Sequence, residues 1–294
     1  MLLADMQPGI PRVEAARTIG TRIGEGLRES GELRADAMAR TLDALRQLRR
    51  EIDGRCDVLV TIATSALRRA QNATAFAAQT HALTGVPLRI LTGEEEAAAS
   101  FRGAVGSLSS AASSHGVVDV GGGSTEYAIG SGCVPELVRS YEIGAVRLTE
   151  RIPELAGNHG TVGAQARDTA YEAARAVLSP MRTLPKTDRI LCVGGTATTS
   201  LSICHGDEAL LSRDDLHALF ERLCAIDLEA RKRVPGMRPQ RADILPAGII
   251  VLDVAFDYAG HSNATVAPGD LLLGTLLQER ERVVGDEATR SERQ

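Results

Sequence analysis

The 294-residue chain has few aromatic residues: four phenylalanines, four tyrosines and no tryptophan. A protein that binds nucleic acid by base stacking needs aromatic platforms, so this scarcity argues against that class. Long basic runs are also missing, and 33 lysines and arginines against 38 aspartates and glutamates leave a net charge of −5. Such a chain lacks the positive charge that attracts a nucleic-acid backbone. We therefore expect no nucleic-acid partner.

Long apolar runs are missing as well, because no stretch approaches the ~20 residues that cross a bilayer. The N-terminus lacks the basic and then apolar layout of a secretory signal. We therefore expect no membrane partner and a cytoplasmic location.

The five cysteines form no C-x-x-C pair, and the six histidines are scattered without ligand-spaced partners. This usage indicates reduced, mostly structural thiols instead of a disulfide frame or a zinc site. If a metal ion acts in this protein, carboxylate oxygens are the expected ligands, and these favour Mg²⁺ or Mn²⁺.

The rest of the composition is that of a globular chain of roughly two domains, with 44% hydrophobic and 24% charged residues. Short β-branched apolar runs predict strands, and amphipathic runs between them predict helices. The predicted strands cover residues 58–64, 88–91, 116–120, 125–129, 136–143 and 189–193, and the clearest helices cover residues 35–53 and 164–178. Residues 212–215 predict a capping box that opens a further helix. This alternation favours an α/β architecture with mixed sheets.

The most informative segment covers residues 117–126, with the sequence VVDVGGGSTE. Its three glycines permit positive φ angles and bring backbone N–H groups close to an anion. Asp119 and Glu126 bracket the glycines, and carboxylates beside a phosphate are what a hard divalent cation needs. A bare triple glycine favours a simple hairpin turn. Asp119 at the strand end and the Ser-Thr-Glu that follows make a phosphate and metal site the better interpretation.

A second glycine turn, GGTATT at residues 194–199, follows another predicted strand. The free N–H groups at the start of a helix favour phosphate through hydrogen bonds and the helix dipole. Alone, this turn is a weak signal. Two loops in one chain that each follow a strand and combine glycines with hydroxyl residues are a much stronger signal than one, because both seldom occur by chance.

Two further segments place charged residues where a phosphate site could use them. In TGEEEA at residues 92–97, the helix dipole explains Glu94 and Glu95, but a carboxylate there could also orient and deprotonate an attacking water. In ATSALRRAQN at residues 63–72, hydroxyls precede Arg68, whose guanidinium can grip phosphate oxygens bidentately. A capped helix with solvated arginines explains this second segment equally well.

Taken together, these segments resemble the exopolyphosphatase and guanosine pentaphosphate phosphohydrolase (Ppx/GppA) family. The segments that match its signatures RLGEGL, ATSALR-x-A-x-N, GEEEA and DIGGGSTE are residues 22–27, 63–72, 93–97 and 119–126. Residues 144–150, 194–199 and 241–243 also fall in the order of the family. The resemblance spans residues 2–277, and the co-occurrence is more specific than any single motif.

The resemblance implies a two-lobed, actin-like fold of the sugar kinase, Hsp70 and actin class, with ribonuclease-H-like mixed sheets. The expected lobes are residues 1–115 and 116–275, with the serine- and alanine-rich stretch 106–115 as the linker. Residues 276–294 are expected to form the end of a C-terminal helix and, from residue 285, a frayed tail. The length matches the short members of the family.

The resemblance also implies Mg²⁺- or Mn²⁺-assisted release of terminal phosphate from inorganic polyphosphate or from guanosine pentaphosphate. Glu96 matches the catalytic base, Asp119 and Glu126 match the metal ligands, and Glu126 also handles the attacking water. The residues that match the phosphate-binding positions are Thr64, Ser65, Arg68, Gly121, Gly122, Gly123, Ser124, Gly194, Gly195 and Thr196.

One family feature is missing from the sequence. Members begin with a strand and an Asp-x-Gly-Ser-Asn-Ser phosphate loop, whereas residues 1–5 here resemble the strand that follows that loop. Either the start is assigned too late or the chain is a degenerate member. The strand edge left open is compatible with a homodimer.

Two other function classes stay open at this stage. A catalytically impaired member would bind polyphosphate or an alarmone without turnover, and a kinase of the same fold would phosphorylate a small molecule. Phosphate release from polyphosphate, retention without release, and acceptor-dependent ATP consumption distinguish the three.

Overall fold

The computed structural model describes residues 1–7, 11–108, 113–205 and 209–291. Within these ranges the chain forms two compact units. The first unit holds Met1–Glu96 together with the C-terminal segment from Thr275, and the second holds Ala97–Gly274. None of the helices in these ranges is both long and apolar enough to cross a membrane.

Strands and helices alternate along the chain. Up to residue 106 the elements are β1 (Leu2–Asp5), β2 (Arg12–Ala16), α1 (Leu27–Ser30), α2 (Ala35–Glu51), β3 (Thr61–Ala63), α3 (Ser65–Arg69), α4 (Ala73–Thr84), β4 (Leu88–Ile90) and α5 (Gly93–Gly106). From residue 114 they are β5 (Ser114–Val120), β6 (Thr125–Ser131), β7 (Val134–Tyr141), α6 (Ala145–Arg151), α7 (Ala164–Leu178), β8 (Arg189–Val193), α8 (Gly194–Cys204), β9 (Leu210–Ser212), α9 (Arg213–Cys224), α10 (Leu228–Lys232), α11 (Leu245–Ala259), β10 (Asn263–Val266) and α12 (Leu271–Ser291).

The first unit contains two separate two-stranded sheets. β1 and β2 pair antiparallel, whereas β3 and β4 pair parallel. Leu27, Leu42 and Leu67 of the first three helices pack with Phe76 of α4 to form an apolar core. The resemblance implied one mixed sheet here. Among the described residues no strand joins the β1-β2 sheet to the β3-β4 sheet, so the two sheets are separate.

The second unit is built on a six-stranded mixed sheet in the order β7-β6-β5-β8-β10-β9. β5, β6 and β7 form an antiparallel meander, and β5, β8 and β10 run parallel. The core on one face is centred on α11, which is buried on all sides except at Asp257. The residues that alternate to the other face, Val117 and Leu191, pack with Phe101 of α5.

Most of the predicted elements are confirmed. The strands predicted at residues 88–91, 116–120 and 189–193 are β4, β5 and β8. The strands predicted at residues 125–129 and 136–143 are β6 and β7, which continue antiparallel from β5. The helices predicted at 35–53 and 164–178 are α2 and α7. The capping box is also confirmed, because Ser212 Oγ accepts from the Asp215 N–H at 3.1 Å and Asp215 Oδ2 accepts from the Ser212 N–H at 2.9 Å.

Other predicted boundaries differ from the structure. The strand predicted at 58–64 is limited to β3, and Val58 is 52% exposed, so the apolar run extends beyond the sheet. The sequence predicted a frayed tail from Gly285, but α12 continues to Ser291. The residues that follow Gly285 have reasonable helix propensity, so the glycine does not end the helix. Residues 109–112 of the predicted linker lie outside the described residues.

The second unit begins at Ala97, inside α5, and not near residue 115. From this point α5 buries Ala97, Phe101 and Ala104 against Val117 of the sheet, which ties this part of the helix to the second unit. The C-terminal segment from Thr275 belongs to the first unit. Its residue Glu279 is buried and accepts hydrogen bonds from Arg89 of that unit and from Arg282.

Within the second unit, α5 and α12 meet backbone to backbone. A Cβ atom on Gly274 would lie 1.8 Å from the Ala99 carbonyl oxygen, and one on Gly103 would lie 1.9 Å from the Asp270 carbonyl oxygen. Both positions therefore require glycine, since the two segments leave no room for a side chain.

Candidate active site

Asp119 and Glu126 lie side by side in the second unit. Asp119 is near the end of β5 and Glu126 near the start of β6, and they are direct partners in the antiparallel ladder. Directly paired residues project from the same face of a sheet. Both are buried, with 9% and 1% of their surface exposed. The sheet register therefore brings together the two acids that the sequence predicted as metal ligands.

Two serine hydroxyls hold these acids. Ser100 Oγ of α5 donates to Asp119 Oδ2 at 2.6 Å, and Ser140 Oγ of β7 donates to Glu126 Oε1 at 2.8 Å. A hydroxyl donor orients a carboxylate without neutralising its charge. The paired acids therefore present carboxyl oxygens of the kind that a hydrated Mg²⁺ binds.

The donor set at this pair fits a hydrated ion. Among the described residues, no group of three or more His, Cys, Asp or Glu side chains is arranged to hold a metal ion. An ion bound by Asp119 and Glu126 would keep several water ligands, as Mg²⁺ commonly does. Burial, reinforced by Asp119, raises the pKa of the Cys192 thiol, so this cysteine offers no thiolate ligand.

The glycine loop between β5 and β6 is fixed by its carbonyl groups. Gly121 O accepts a hydrogen bond from the N–H of Ala145, the first residue of α6, at 2.9 Å. Gly122 O accepts from the N–H groups of the next two residues of α6. None of Gly121, Gly122 and Gly123 has a positive φ, so the left-handed backbone that three glycines permit is not used. The tightest approach is at Gly144, where a Cβ would lie 2.7 Å from Gly121 O. Neither the Gly122 nor the Gly123 N–H donates to a backbone carbonyl of the described residues.

The second glycine turn joins β8 to α8 and touches Asp119. Gly194 has a φ of +83°, and a Cβ there would lie 2.5 Å from Asp119 Oδ1, so only glycine fits. Thr196 is buried and its Oγ1 donates to Val120 O at 3.4 Å, so this hydroxyl ties the turn to β5. No side-chain hydrogen bond caps the N-terminus of α8, and free N–H groups at the start of a helix are a setting that suits an anion.

Arg241 lies at this turn, although no sequence pattern assigned it a chemical role. A Cβ on Gly195 would lie 1.9 Å from Arg241 Cζ, so the guanidinium covers the backbone of the turn. Burial lowers the pKa of Arg241, and the carboxylate of Asp119 opposes this shift. The available signal was the RAD triplet at residues 241–243, which matches the family without indicating a chemistry.

In the first unit, α3 carries the predicted phosphate-binding residues. Thr64 is the N-cap of α3 and makes no side-chain cap hydrogen bond. Ser65 is 4% exposed, and its Oγ has no hydrogen-bond partner among the described residues. Arg68 Nη1 donates to Leu91 O at 2.8 Å and to Glu96 Oε2 at 2.6 Å. The structure thus joins the predicted phosphate-binding arginine to the predicted base.

The three consecutive glutamates at the start of α5 have different surroundings. Glu95 Oε2 accepts from the Thr92 N–H at 2.7 Å and Thr92 Oγ1 accepts from the Glu95 N–H at 3.1 Å, which is a capping box. Glu94 is exposed, whereas Glu96 is only 5% exposed. Of the three, only Glu96 has the buried setting and charged partner that are typical of a functional carboxylate.

The predicted site residues therefore form two groups, one in each unit. The first unit holds Thr64, Ser65, Arg68 and Glu96, and the second holds Asp119, Gly121, Gly122, Gly123, Ser124, Glu126, Gly194, Gly195 and Thr196. Ser124 is buried, and its carbonyl closes the glycine loop by accepting from the Gly121 N–H at 3.0 Å. Sequence reasoning missed Ser100 and Ser140, which no local pattern marks.

The sequence model of the Ppx/GppA phosphatase family matches residues 3–281. The chain belongs to this family. It is 35% identical over 305 aligned residues to Exopolyphosphatase 2 of Mycobacterium tuberculosis, covering 94% of this chain and 93% of that protein. It is 28% identical over 263 residues to the guanosine-5'-triphosphate,3'-diphosphate pyrophosphatase of Vibrio cholerae, covering 87% of this chain and 52% of that protein. The resemblance read from the motifs is therefore confirmed.

Solved structures of the Ppx/GppA family share this fold. The Aquifex aeolicus member aligns with a TM-score of 0.78 at 25% identity and covers 96% of this chain and 93% of its own. An exopolyphosphatase from Cytophaga hutchinsonii aligns with a TM-score of 0.83 at 24% identity, covering 95% of this chain and 93% of its own. The predicted fold class, an α/β fold with a mixed sheet that is shared with the family, is confirmed.

Proposed function

We propose that this Ppx/GppA protein is a phosphoanhydride hydrolase that releases the terminal phosphate of inorganic polyphosphate. The observation that carries the proposal is the pair of buried carboxylates, Asp119 and Glu126, beside two glycine turns. The full-length similarity to a protein named Exopolyphosphatase 2 makes polyphosphate the first substrate to test. Guanosine pentaphosphate is the second, because a partial-length relative is named for that chemistry.

The proposed roles of the second-unit residues are phosphate binding and metal binding. In the second unit, backbone N–H groups of the glycine turns and the guanidinium of Arg241 bind phosphate oxygens and stabilise their charge. Asp119 and Glu126 would hold Mg²⁺, which supplies positive charge to the transferred phosphoryl group when bound. Glu126 also orients the attacking water.

In the first unit, Ser65 and Arg68 bind phosphate oxygens and Glu96 acts as the general base. The oxygen of a water molecule attacks the terminal phosphorus, the bond to the bridging oxygen breaks, and Glu96 takes the proton of the water. Arg68 holds the Glu96 carboxylate through the hydrogen bond at 2.6 Å, so one guanidinium orients both substrate and base.

One set of assays separates this proposal from the two alternatives. The protein is incubated with Mg²⁺ and long-chain polyphosphate, and then with guanosine pentaphosphate, while free phosphate and bound polymer are measured. Stoichiometric retention of polyphosphate without phosphate release supports a binding protein. ATP consumption that depends on an added small-molecule acceptor supports a kinase.

Replacing Asp119 with asparagine is expected to raise the Mg²⁺ concentration needed for half-maximal phosphate release at least about tenfold, because one charged ligand is lost. The measurement is a Mg²⁺ titration of the initial rate. Asp214→Asn removes the same charge from an exposed position at the start of α9 and serves as the matched control. Identical titration curves for the Asp119→Asn variant and the parent would contradict the metal assignment.

Replacing Arg241 with glutamine is expected to raise KM for polyphosphate roughly 10–100-fold, the worth of a charge-assisted contact. Lysine at this position should recover only part of the loss, because it cannot present two N–H groups in one plane. Arg238→Gln is the matched control, since Arg238 is exposed on the same segment. If Arg241→Gln and Arg238→Gln behave alike, Arg241 has no direct role in binding.

A further inference from the structure

Each acid of the Asp119–Glu126 pair has one carboxyl oxygen that accepts a hydrogen bond from a serine. Ser100 Oγ of α5 donates to Asp119 Oδ2 at 2.6 Å, and Ser140 Oγ of β7 donates to Glu126 Oε1 at 2.8 Å. The two serines lie on different elements of the second unit, 40 positions apart in the chain. One local turn therefore does not account for both contacts, and each acid has a hydroxyl donor of its own.

Ser100 gives its only proton to this contact. A serine or threonine inside a helix commonly donates to the carbonyl group four residues earlier. Thr41, Thr149 and Thr198 of this chain do so at 2.8–3.0 Å. Ser100 is 1% exposed and donates to Asp119 instead. Because a hydroxyl has one proton to donate, this helix directs it to the acid and not to its own backbone.

The two oxygens of Asp119 have different surroundings. Oδ2 accepts from Ser100, whereas Oδ1 lies against the second glycine turn, where a Cβ on Gly194 would be 2.5 Å away. A cation that bound both oxygens at once would compete with the Ser100 proton for Oδ2, and a buried hydroxyl that loses its acceptor is costly. At Glu126, Ser140 competes in the same way for Oε1. Each acid is therefore restrained to bind a cation through one oxygen.

Mg²⁺ and Ca²⁺ make different demands on such a pair of acids. Ca²⁺ takes about six to eight oxygen ligands and often binds both oxygens of one carboxylate. Mg²⁺ is smaller, takes about six ligands in octahedral geometry, and usually keeps several waters beside one or two carboxylates. Two acids that each offer one oxygen suit a hydrated Mg²⁺ and provide too few ligands for Ca²⁺.

We propose that Ser100 and Ser140 are positioning residues that set the metal preference of the acid pair. Each restricts its carboxylate to one metal-binding oxygen, and together they favour Mg²⁺ over Ca²⁺. This inference rests on the proposed function, which assigns Asp119 and Glu126 as the metal ligands. The serines act through the acids that they orient. A purely structural role would stabilise the fold without changing the ratio of the two metal affinities.

The test measures the dissociation constants of Mg²⁺ and Ca²⁺ by titration calorimetry on the substrate-free protein. In the Ser100→Ala/Ser140→Ala double variant, the constant for Mg²⁺ is expected to rise roughly tenfold, the usual effect of losing the outer partner of a metal ligand. The constant for Ca²⁺ is expected to stay level or fall, because both oxygens of each acid become accessible to it. The preference for Mg²⁺ should therefore drop by at least this factor.

Ser200→Ala is the matched control, since Ser200 is a fully buried serine of α8 whose hydroxyl makes no hydrogen bond with the described residues. Its metal preference should equal that of the parent. Ser140→Thr retains the hydroxyl on a strand, where threonine is favoured, and should restore the preference that Ser140→Ala lowers. Ser140 is only half-buried, so Ser140→Ala keeps the test decisive if the double variant does not fold.

The outcomes separate this inference from the proposed function. A parent that releases phosphate, with serine variants whose Mg²⁺ and Ca²⁺ constants change in parallel or not at all, overturns the role of the serines alone. A parent that does not release phosphate but loses its Mg²⁺ preference in the serine variants overturns the hydrolase and supports this inference. A parent that binds neither ion overturns the metal assignment and this inference together.

Discussion

Replacing Glu96 with glutamine is expected to slow phosphate release from polyphosphate roughly 10²–10⁴-fold, the usual contribution of a general base. Glutamine has nearly the same size and its amide oxygen can still accept the hydrogen bond from Arg68, but it cannot take a proton from water. Binding of polyphosphate is expected to change little, because Arg68 and both glycine turns are intact. The measurements are the initial rate at saturating polyphosphate and the dissociation constant of the polymer.

The neighbouring Glu95→Gln variant is the matched control for this experiment. Glu95 belongs to the capping box with Thr92, and glutamine also serves at that position, so its rate should stay near that of the parent. Arg68→Ala should lower both affinity and turnover, since it removes a phosphate contact and releases Glu96. Equal rates for Glu96→Gln and the parent would remove Glu96 from the mechanism and direct attention to Glu126.

The parts of the fold that follow from short-range rules could be predicted from the sequence. The spacing of Ala170, Ala174 and Leu178 predicts α7, and these residues are buried as the pattern requires. The capping box at Ser212 and Asp215 depends only on four consecutive residues, so it too was predictable. The register of Asp119 with Glu126 follows from a short hairpin whose two strands were both predicted.

Features that depend on packing between distant segments could not be predicted in this way. The hydrogen bond from Ser100 to Asp119 joins helix α5 to strand β5. Arg241 lies against Gly195, although 46 positions separate them along the chain. The boundary at Ala97 has the same origin. Composition indicates a linker at residues 106–115, whereas the division of this chain depends on which core the residues of α5 join.

The sequence motifs indicate candidate site residues, but they do not indicate the contacts between them. The motifs indicate Arg68 and Glu96 separately, one as a phosphate ligand and the other as a base. Their direct hydrogen bond joins the two residues, and neither motif indicates that contact. At the glycine loop the residues were also predicted, but the physical reason differs, because the loop uses close approach to Gly144 instead of positive φ angles.

Replacing Gly274 with alanine is expected to lower the free energy of unfolding by about 1–3 kcal/mol, the usual cost of forcing extra atoms into a packed interior. The added Cβ would lie 1.8 Å from the Ala99 carbonyl oxygen, which is backbone and cannot rotate away. α5 and α12 would have to separate, and the burial of Phe101 and Ala104 beside that contact would be reduced. The measurements are chemical denaturation and the midpoint of thermal unfolding, which should fall by several degrees.

Gly163→Ala is the matched control, because a Cβ there meets nothing within 4 Å and its φ of −69° suits alanine. Gly163 is the N-cap of α7, where alanine is less favourable than glycine, so the control should lose less than about 1 kcal/mol. Gly103→Ala should behave like Gly274→Ala, since its Cβ would lie 1.9 Å from the Asp270 carbonyl oxygen. If all three variants unfold at the same midpoint as the parent, α5 and α12 do not pack backbone to backbone in solution.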